Sequence, residues 1–549
     1  MKPLFLLCAL ALTATGFGQK TKFTFKLGTE YELPRRTADL AFFGNEKDGI
    51  VNLSLKKEEL NIIRFNTSNL NKTSEKVIEL KEATRNFLSE MVADFNTGDY
   101  YWIHSDWDKD GGTEMLYYDK IDVTTGKITE ANHKILQTTK IGGRYAGFAV
   151  FGSPMAPGAD GYFGTGYKTT EKYQYDYDAE NKKLLITYRL VPEKKRDKEN
   201  FDVIGFHVFD EKMNKLWGGE FRMPYNEAIM DNSNFSVDSK GNAYMLAKVY
   251  DSESRRERDK STDKPAYHFE VMKFTKDSKT PIIAKLSVGD FYIHETTITE
   301  NTLHDMIIAC TYSKKSKGTG TDGIFLATLD QAGKLIQFKN GYYEFPKEEL
   351  QKFESARARR RIDRKDDYEA PNLKVRDVQV EADGSIFLAC EEYRVVEHTS
   401  GSGMNGNRMS TYYTYHYEDI IGSRIDPAGK FQWVRKIPKM QRGRSGRGTM
   451  GFKLVSDASG YYFLYLDNLK NLDIAEDEPP KTHVDGYGGQ VMVSRLTMDG
   501  KLSKELLFDT REEDIMIFPA DFHKISGNRF IGRARLKRNL FQPLLITTK

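Results

Sequence analysis

The fold of this chain is decided by Asp383-Gly384-Ser385-Ile386-Phe387-Leu388-Ala389 and, after a variable stretch, Asp426-Pro427-Ala428-Gly429-Lys430-Phe431. The first stretch is a tight turn that leads into a short apolar run, and the second is a turn between two further runs. Asp and Gly supply the backbone conformations that tight hairpins need. Four runs and two such turns make one unit, which recurs from near residue 38 onward. Repetition at roughly 40–50 residues with several short strands per repeat is typical of a β-propeller, in which each repeat forms one blade.

The second run of each unit shows the repeat most plainly, because it is short, continuous and apolar. Such a run suits a central strand that neighbouring blades bury on both faces. The runs are 50–53, 101–104, 184–187, 244–247, 306–309, 386–389, 462–465 and 530–533. We therefore predict an all-β protein, a β-propeller of eight four-stranded blades. A seven-bladed ring with one unit packed outside it is the alternative.

The two ends of the sequence predict how the ring closes. The last unit, from about Ile515, stops at its third run, which contains Ile546. Near the other end, residues 22–27 form an alternating strand without a hairpin partner before Pro34. We expect this N-terminal strand to complete the last blade, which removes two exposed sheet edges.

Residues 1–18 have the pattern of a secretory signal peptide: a charged start, a short apolar stretch and small residues before the expected cleavage site. The apolar stretch is too short to span a bilayer, and no later stretch approaches the ~20 apolar residues of a membrane helix. We predict an exported protein, periplasmic, associated with the outer membrane or secreted, whose residues 19–549 form a single propeller domain. Cys310 and Cys390, the cysteines that remain after cleavage, occupy matching places in consecutive units and are expected to be buried and unpaired.

Insertions concentrate in one class of connection. The turns between the first and second runs, and between the third and fourth, are short, whereas the second-to-third loops and the blade linkers hold the long segments, 397–410 and 473–489 among them. In a propeller these long connections emerge on one face, called here the long-loop face. Long loops on a rigid scaffold are where function concentrates.

Basic residues are unevenly distributed over that face. The chain carries 82 Lys and Arg against 79 Asp and Glu, a net charge of +3, so the asymmetry is local. A linker near 346–366 begins like a helix and is rich in arginine, as is the linker 440–450. The loops 191–200 and 251–265 add Lys194, Lys195, Arg196, Arg255, Arg256 and Arg258. The predicted binding residues are Arg357, Arg359, Arg360, Arg361, Arg364, Arg442, Arg444 and Arg447. Arginine favours carboxylate and phosphate partners, and an exported protein without a recognition fold argues against nucleic acid. An envelope protein, an anionic glycan or a lipid headgroup fits better.

Asp106, Asp108 and Asp110, followed by Gly111, match the first half of a calcium-binding loop. The bidentate glutamate expected six residues after the glycine is absent, because Tyr117 occupies that position. These three aspartates are therefore candidate ligands of a weak calcium site, with an ordinary Asp- and Gly-rich hairpin as the alternative. No other cofactor is predicted.

Catalytic motifs are missing from the sequence. The ten histidines lack the spacing of zinc sites, and no Gly-x-Ser-x-Gly elbow or phosphate-binding glycine loop occurs. The adjacent carboxylates Glu391 and Glu392 point to opposite sides of a strand and do not form an acid–base pair. Whether the protein is an enzyme is left open, with the balance against it.

Residues 373–510 carry a resemblance, most clearly in the segments 383–393, 415–421 and 425–439. They resemble a group of exported, propeller-like proteins of Gram-negative bacteria with no assigned activity. The resemblance implies a periplasmic or outer-membrane-associated setting and brings no catalytic residues. The sequence thus favours a non-catalytic interaction platform that binds through its long-loop face. The alternative is a glycan-active enzyme or carbohydrate-binding propeller that uses carboxylates or tyrosines at the central channel.

Overall fold

The computed structural model describes residues 23–35, 37–84, 86–139, 141–142, 172–178, 181–192, 197–286, 289–301, 304–315, 320–364, 369–401, 409–443, 449–484, 488–537 and 539–548. The proposed leader, residues 1–18, lies outside them. The described chain is built almost wholly of antiparallel strands arranged in eight four-stranded blades. The eight-bladed prediction is confirmed.

The strands follow one another blade by blade. Strands β1 (Phe23–Leu27) and β2 (Tyr31–Glu32) precede the first full unit. Blade 1 holds β3 (Ala38–Asn45), β4 (Gly49–Lys56), β5 (Glu59–Phe65) and β6 (Lys72–Glu79). Blade 2 holds β7 (Leu88–Asp94), β8 (Tyr100–Asp108), β9 (Thr113–Asp122) and β10 (Lys127–Thr138). Blade 3 holds β11 (Tyr173–Asp178), β12 (Lys183–Arg189), β13 (Phe201–Asp210) and β14 (Lys215–Asn226). Blade 4 holds β15 (Met230–Val237), β16 (Ala243–Tyr250), β17 (Tyr267–Phe274) and β18 (Ile282–Leu286).

The second half continues in the same order. Blade 5 holds β19 (Tyr292–Glu300), β20 (Met306–Ser313), β22 (Gly323–Leu329) and β23 (Leu335–Glu344), with the short β21 (Gly320–Thr321) paired to β24 (Ala370–Pro371). Blade 6 holds β25 (Leu373–Val380), β26 (Ile386–Gly401), β27 (Met409–Ile425) and β28 (Phe431–Ile437), extended by β29 (Gln441–Gly443). Blade 7 holds β30 (Lys453–Asp457), β31 (Gly460–Asp467), β33 (Gln490–Leu496) and β34 (Leu502–Asp509), while the intervening β32 (His483–Val484) pairs with β29. Blade 8 holds β35 (Met516–Ile517), β36 (His523–Ser526), β37 (Arg529–Lys537) and β38 (Leu540–Thr548).

Helix is scarce and lies in the connections. The linker between blades 5 and 6 contains α1 (Lys347–Leu350) and α2 (Ala356–Asp363). Single 3₁₀ turns occupy Asp197–Glu199, Leu469–Asn471 and Pro519–Asp521. Within the described parts of the chain, no helix combines the length and the apolar content needed to cross a membrane.

The ring is closed by its N-terminal strand, as the sequence predicts. Strand β1 pairs antiparallel with β38, with Phe23 opposite Thr548 and Leu27 opposite Leu544. The ring of Phe23 packs edge-on against Tyr462 of blade 7 at a centroid distance of 5.3 Å. Blade 8 thus combines strands from both ends of the described chain, and the closure joins it to its neighbour.

The turns between third and fourth strands share one hydrogen-bond pattern. In blade 6, Gly429 N donates to Asp426 O at 2.8 Å, and Lys430 N donates to the Asp426 carboxylate at 2.8 Å. In blade 5, Gly333 N and Lys334 N make the same bonds to Asp330. Gly429 and Gly333 have φ of +74° and +84°, which glycine adopts without steric cost. The recurring Asp-x-x-Gly-Lys motif is therefore turn chemistry.

The core lies between blades. The second strands are almost fully buried, and large side chains from neighbouring blades meet face to face. Phe387 of blade 6 stacks on Tyr461 of blade 7 at 3.6 Å between centroids, and Phe206 of blade 3 stacks on Phe274 of blade 4 at 4.1 Å. Such aromatic pairs contribute about 0.5–1.5 kcal/mol beyond the area they bury. Cys310 and Cys390 are buried and unpaired, as expected.

One predicted loop is a strand pair. Residues 397–401 and 409–410, predicted as parts of a long connection, continue β26 and β27, whose pairing runs out to Gly401 opposite Met409. Residues 402–408 lie outside the described residues. Just inside this part of the hairpin, Tyr413 pairs with Glu397 and Tyr415 pairs with Val395 across the two strands. The long-loop face therefore bears a projecting hairpin at blade 6.

Candidate functional site

The arginine-rich helix α2 is fixed by its own sequence. Ser355 caps its first turn, with Oγ accepting a hydrogen bond from Ala358 N at 3.2 Å. Ile362 is fully buried and holds one face of the helix against the protein. The arginines project from the other sides, because residues three and four apart share a helix face.

The segment that carries α2 is anchored at several points. Leu350 and Phe353 are buried, and Phe353 N donates to Glu476 O in the loop between β31 and β33. Glu354 accepts a hydrogen bond from Lys436 Nζ at 2.9 Å. Lys436 is itself buried in blade 6, so the helix is attached to the rigid part of the propeller.

The arginines of α2 differ in their partners. Arg359 is half-buried and donates to Asp477 O at 3.1 Å. Arg357, Arg360, Arg361 and Arg364 are exposed, and none of them forms an ion pair with a described residue. We call these four residues the arginine surface. They border a shallow, open concavity of about 790 Å³.

Two of the other arginines predicted to add to this face, Arg255 and Arg258, are neutralised, whereas Arg256 is exposed and Lys194, Lys195 and Arg196 lie outside the described residues. Arg255 pairs with Asp231, and Arg258 lies 2.6 Å from Asp263. The hydrogen bond that Arg255 donates to Asp231 raises the pKa of Arg255. Unlike Arg255 and Arg258, Arg357, Arg360, Arg361 and Arg364 have no carboxylate partner among the described residues.

The second predicted arginine cluster is described only in part. Arg442 is exposed on β29, whereas Arg444 and Arg447 lie outside the described residues. Strand β29 pairs in parallel with β32, which belongs to the β31–β33 loop of blade 7. Glu476 and Asp477 of the same loop contact the α2 segment. The two linkers thus contact the same loop of blade 7 at different places, one at Glu476 and Asp477 and the other at His483 and Val484. Within the described chain, Arg442 itself makes no contact with the arginine surface.

The three candidate calcium ligands lie at the β8–β9 hairpin. Asp106 is buried and accepts hydrogen bonds from Thr84 N at 3.0 Å and Thr84 Oγ1 at 2.5 Å. Asp108 accepts from Asp110 N and Gly111 N at 3.0 and 3.1 Å, which is the geometry of an Asx turn. Over the described ranges, no three His, Cys, Asp or Glu side chains are grouped closely enough to hold a metal ion. Calcium binding at these residues stays a prediction.

The adjacent carboxylates Glu391 and Glu392 serve different networks. Glu391 is fully buried and accepts from Arg376 Nε at 2.9 Å and from Lys439 Nζ at 2.7 Å. Burial raises the pKa of Glu392, and the charge of Lys436 opposes that rise. Glu391 is therefore ion-paired with Arg376 and Lys439, whereas Glu392 lies near a different cation, Lys436, in keeping with strand geometry.

The channel wall has a feature that the sequence analysis missed. The first strands of several neighbouring blades contact one another, β3 with β7 and β36, and β15 with β11 and β19. β-Bulges interrupt those of blades 1, 2, 4, 5 and 6 at corresponding places, namely Asp39/Ala41, Ser89/Met91, Asn232/Asn234, Ile293/Thr296 and Val375/Asp377. A bulge re-aims the side chain of its extra residue. In blade 6 that residue is Arg376.

Three consecutive blades place charged groups near one another beside the channel. Burial raises the pKa of Asp377 in blade 6 to about 6, and the charge of Lys453 in blade 7 opposes this. Burial also raises the pKa of Asp521 in blade 8 to about 6, opposed by Arg533 and Lys453. Burial lowers the pKa of Lys453. No sequence motif predicts that Asp377, Lys453 and Asp521 lie near one another, because they are far apart in the sequence.

No protein-family model matches the chain, and no curated protein matches its sequence. Among solved structures, the Dos1 propeller is 7% identical with a TM-score of 0.36, the match covering 94% of each chain. The β-propeller domain of the Trilobed protease from Pyrococcus furiosus is 12% identical over 78% of this chain and 90% of that one, with a TM-score of 0.31. A protein of unknown function from Bacteroides caccae is 11% identical over 72% of this chain and 92% of that one, with a TM-score of 0.26. Likenesses this distant say nothing about activity, and the propeller assignment rests on the strand pairing.

Proposed function

We propose that the protein is a non-catalytic interaction platform that binds an anionic partner through the arginine surface of α2. The proposed setting is the periplasm or the outer membrane of a Gram-negative cell, as the leader and the resemblance suggest. The partner would be an envelope protein with an acidic patch, an anionic glycan or a lipid headgroup. One observation carries the proposal: four exposed arginines lie on an anchored helix without a carboxylate partner among the described residues.

Helix stability does not explain this arrangement. Cations near the C-terminus of a helix are favourable, which accounts for Arg360, Arg361 and Arg364. Arg357 lies in the first turn, where a positive charge is unfavourable, and it is four residues from Arg361. Like charges at that spacing cost about 0.2–0.5 kcal/mol per pair. A bound anion would remove the repulsion and use the guanidinium groups in charge-assisted hydrogen bonds.

The alternative, a glycan-active or carbohydrate-binding propeller, is favoured by the charged groups Asp377, Lys453 and Asp521 beside the channel. A carboxyl group with a raised pKa next to a cation is the kind of group that general acid catalysis uses. Replacing Asp377 and Asp521 with Asn would abolish glycan turnover if this alternative held. It would leave binding by the arginine surface unchanged.

The test compares two variants that each lose four positive charges. In the first, Arg357, Arg360, Arg361 and Arg364 are replaced by Gln, which keeps helix propensity. In the control, Gln replaces four cations outside α2 that pair with nearby carboxylates, namely Arg255, Arg258, Lys264 and Lys501. Both variants should melt like the parent, because exposed charges contribute little to stability.

The probes represent the three chemistries: polyglutamate, a sulfated polysaccharide, and vesicles of phosphatidylcholine with and without phosphatidylglycerol. We expect the parent and the control to bind one of them in a salt-sensitive manner. The α2 variant should bind it at least tenfold more weakly, because a hydrogen bond to a charged group contributes about 1.5–3 kcal/mol. Equal binding by the α2 variant and the control would show that the arginine surface is only a solvated face.

A further inference from the structure

A second recess lies on the long-loop face at blade 7. It has a volume of about 510 Å³, and Asp467, His483 and Arg511 are among the residues that line it. Asp467 ends β31, His483 begins β32, and Arg511 follows β34. Two connections of the blade, the β31–β33 loop and the segment after β34, therefore converge on one cavity.

Two buried polar atoms in the lining have unused hydrogen-bonding capacity. Asp467 is fully buried, and its Oδ1 accepts hydrogen bonds from Asn468 N and Asn471 Nδ2, both at 2.8 Å. Asp467 Oδ2 has no partner among the described residues, and neither has Nε2 of His483, which is only 5% exposed. Leaving such a group unsatisfied costs about 1–3 kcal/mol, so a molecule that bonds to both atoms gains that energy.

The protonation states follow from the surroundings. Burial raises the pKa of Asp467 to about 6, with Lys504 and Lys439 opposing the rise. Burial, together with the charges of Lys439 and Arg511, lowers the pKa of His483 to about 4. At neutral pH the lining therefore offers a carboxylate and a neutral imidazole.

A pair of glycines brings His483 and Arg511 together. Gly488 and Gly489 have φ of +88° and +131°, a region that other residues rarely adopt. A Cβ at Gly489 would lie 2.5 Å from Cε1 of His483, and a Cβ at Gly488 would lie 2.4 Å from Nε of Arg511. Both side chains thus lie directly against glycine backbone. The guanidinium of Arg511 forms no ion pair with a residue in the described ranges.

The recess also has an apolar wall. Leu469 and Val484 line it and are 49% and 67% exposed, which is high for large hydrophobic side chains. Covering them with an apolar group would gain about 25 cal/mol for each Å² removed from water. The lining residues include no Phe, Tyr or Trp, so the stacking surface that sugar rings favour is missing from the described lining.

We propose that this recess binds a small zwitterion with an aliphatic side chain, a free amino acid or a short peptide. The ammonium group donates to Asp467 Oδ2 and His483 Nε2, the carboxylate pairs with Arg511, and the side chain covers Leu469 and Val484. A simple anion would face the buried carboxylate of Asp467, and a simple cation would face Arg511 and Lys470. A molecule that carries both charges satisfies both ends. This site is separate from the arginine surface and does not depend on it.

Titration calorimetry on the full-length protein tests the proposal with L-leucine and leucyl-leucine. N-acetyl-leucine removes the ammonium charge, leucinamide removes the carboxylate, and glucuronate offers hydroxyls with a carboxylate. We expect leucine or its dipeptide to bind with a Kd below about 1 mM, which corresponds to roughly −4 kcal/mol. Both blocked analogues should bind at least tenfold more weakly.

Two variants at exposed positions locate the site without threatening the fold. Arg511→Gln should weaken leucine binding at least tenfold, and Val484→Ser should reduce the preference for leucine over alanine. Lys501→Gln, at an exposed position outside the recess, is the matched control and should bind like the parent. Failure of both zwitterions to bind at about 10 mM, equal binding by Arg511→Gln, or binding of glucuronate alone would overturn the proposal.

Discussion

Closure of the ring by β1 makes a quantitative prediction about stability. Phe23 is 3% exposed and packs on Tyr462, and Tyr31 is equally buried and stacks on Phe541 at 5.8 Å. Truncating a buried Phe to Ala costs about 3–5 kcal/mol, because the transfer energy of the ring is lost and a cavity remains. Phe23→Ala should therefore destabilise the native state by that amount.

The shift in melting temperature follows from chain length. The unfolding entropy is about 2.1 cal/mol/K per residue, so a chain of 549 residues has about 1.1 kcal/mol/K. Dividing about 3–5 kcal/mol by this entropy predicts that Phe23→Ala lowers the melting temperature by about 3–5 °C. Deleting residues 20–33 removes both aromatic anchors and the five backbone pairs of β1, and should lower it by more.

Differential scanning calorimetry measures both effects, and Glu32→Ala is the control on the same segment. Glu32 is exposed, so this substitution should change stability by less than about 0.5 kcal/mol. Limited proteolysis gives a second readout, because loss of β1 exposes the edge of β38. A truncated protein that melts with the parent would refute the idea that β1 holds the ring closed.

Three further outcomes are expected. Millimolar calcium should raise the melting temperature, and Asp108→Ala should abolish the increment, since a ligand that binds only the native state stabilises it by mass action; no shift in the parent would exclude the site. Cys310 and Cys390 should stay unreactive to a thiol reagent until the protein unfolds, because both are buried and burial raises their pKa. Burial lowers the pKa of His207 from 6.5 to about 3, so protonation of the unfolded state should destabilise the fold as the pH falls below 6.5. By pH 4 the protonation of His207 in the unfolded state lowers the free energy of unfolding by about 3 kcal/mol. Urea titrations at pH 7 and pH 4 should therefore show a smaller loss of unfolding free energy for His207→Gln than for the parent.

The sequence predicts the scaffold well because the scaffold depends on local patterns. Runs such as 386–389 and turns such as Asp426 to Lys430 contain, within a few residues, all the chemistry that fixes them. Residues 397–401 and 409–410 are predicted as loop from the spacing of the repeat, whereas cross-strand pairing extends β26 and β27 through them.

The candidate sites are less predictable because they depend on distant residues. The arginines of α2 are visible as a charge run, but only the structure shows that Arg255 and Arg258 are neutralised while Arg357 is not. The recess at blade 7 has no sequence signal. Asp467, His483 and Arg511 come from two connections, and nothing in their spacing indicates that the glycine pair lies against His483 and Arg511.

The register of β1 on β38 also determines how the ring responds to force. Phe23, at the N-terminal end of β1, lies opposite Thr548, at the C-terminal end of β38. The chain therefore continues towards both termini from the same end of the strand pair. Tension applied between the termini would load these hydrogen bonds one pair at a time, from Phe23 towards Leu27, rather than all together in shear. The β1–β38 pair, which protects the sheet edge against solvent and heat, would therefore separate under tension one hydrogen bond after another. A protein tethered at both ends would lose the pairing of β1 with β38 before the other strands of a blade separate.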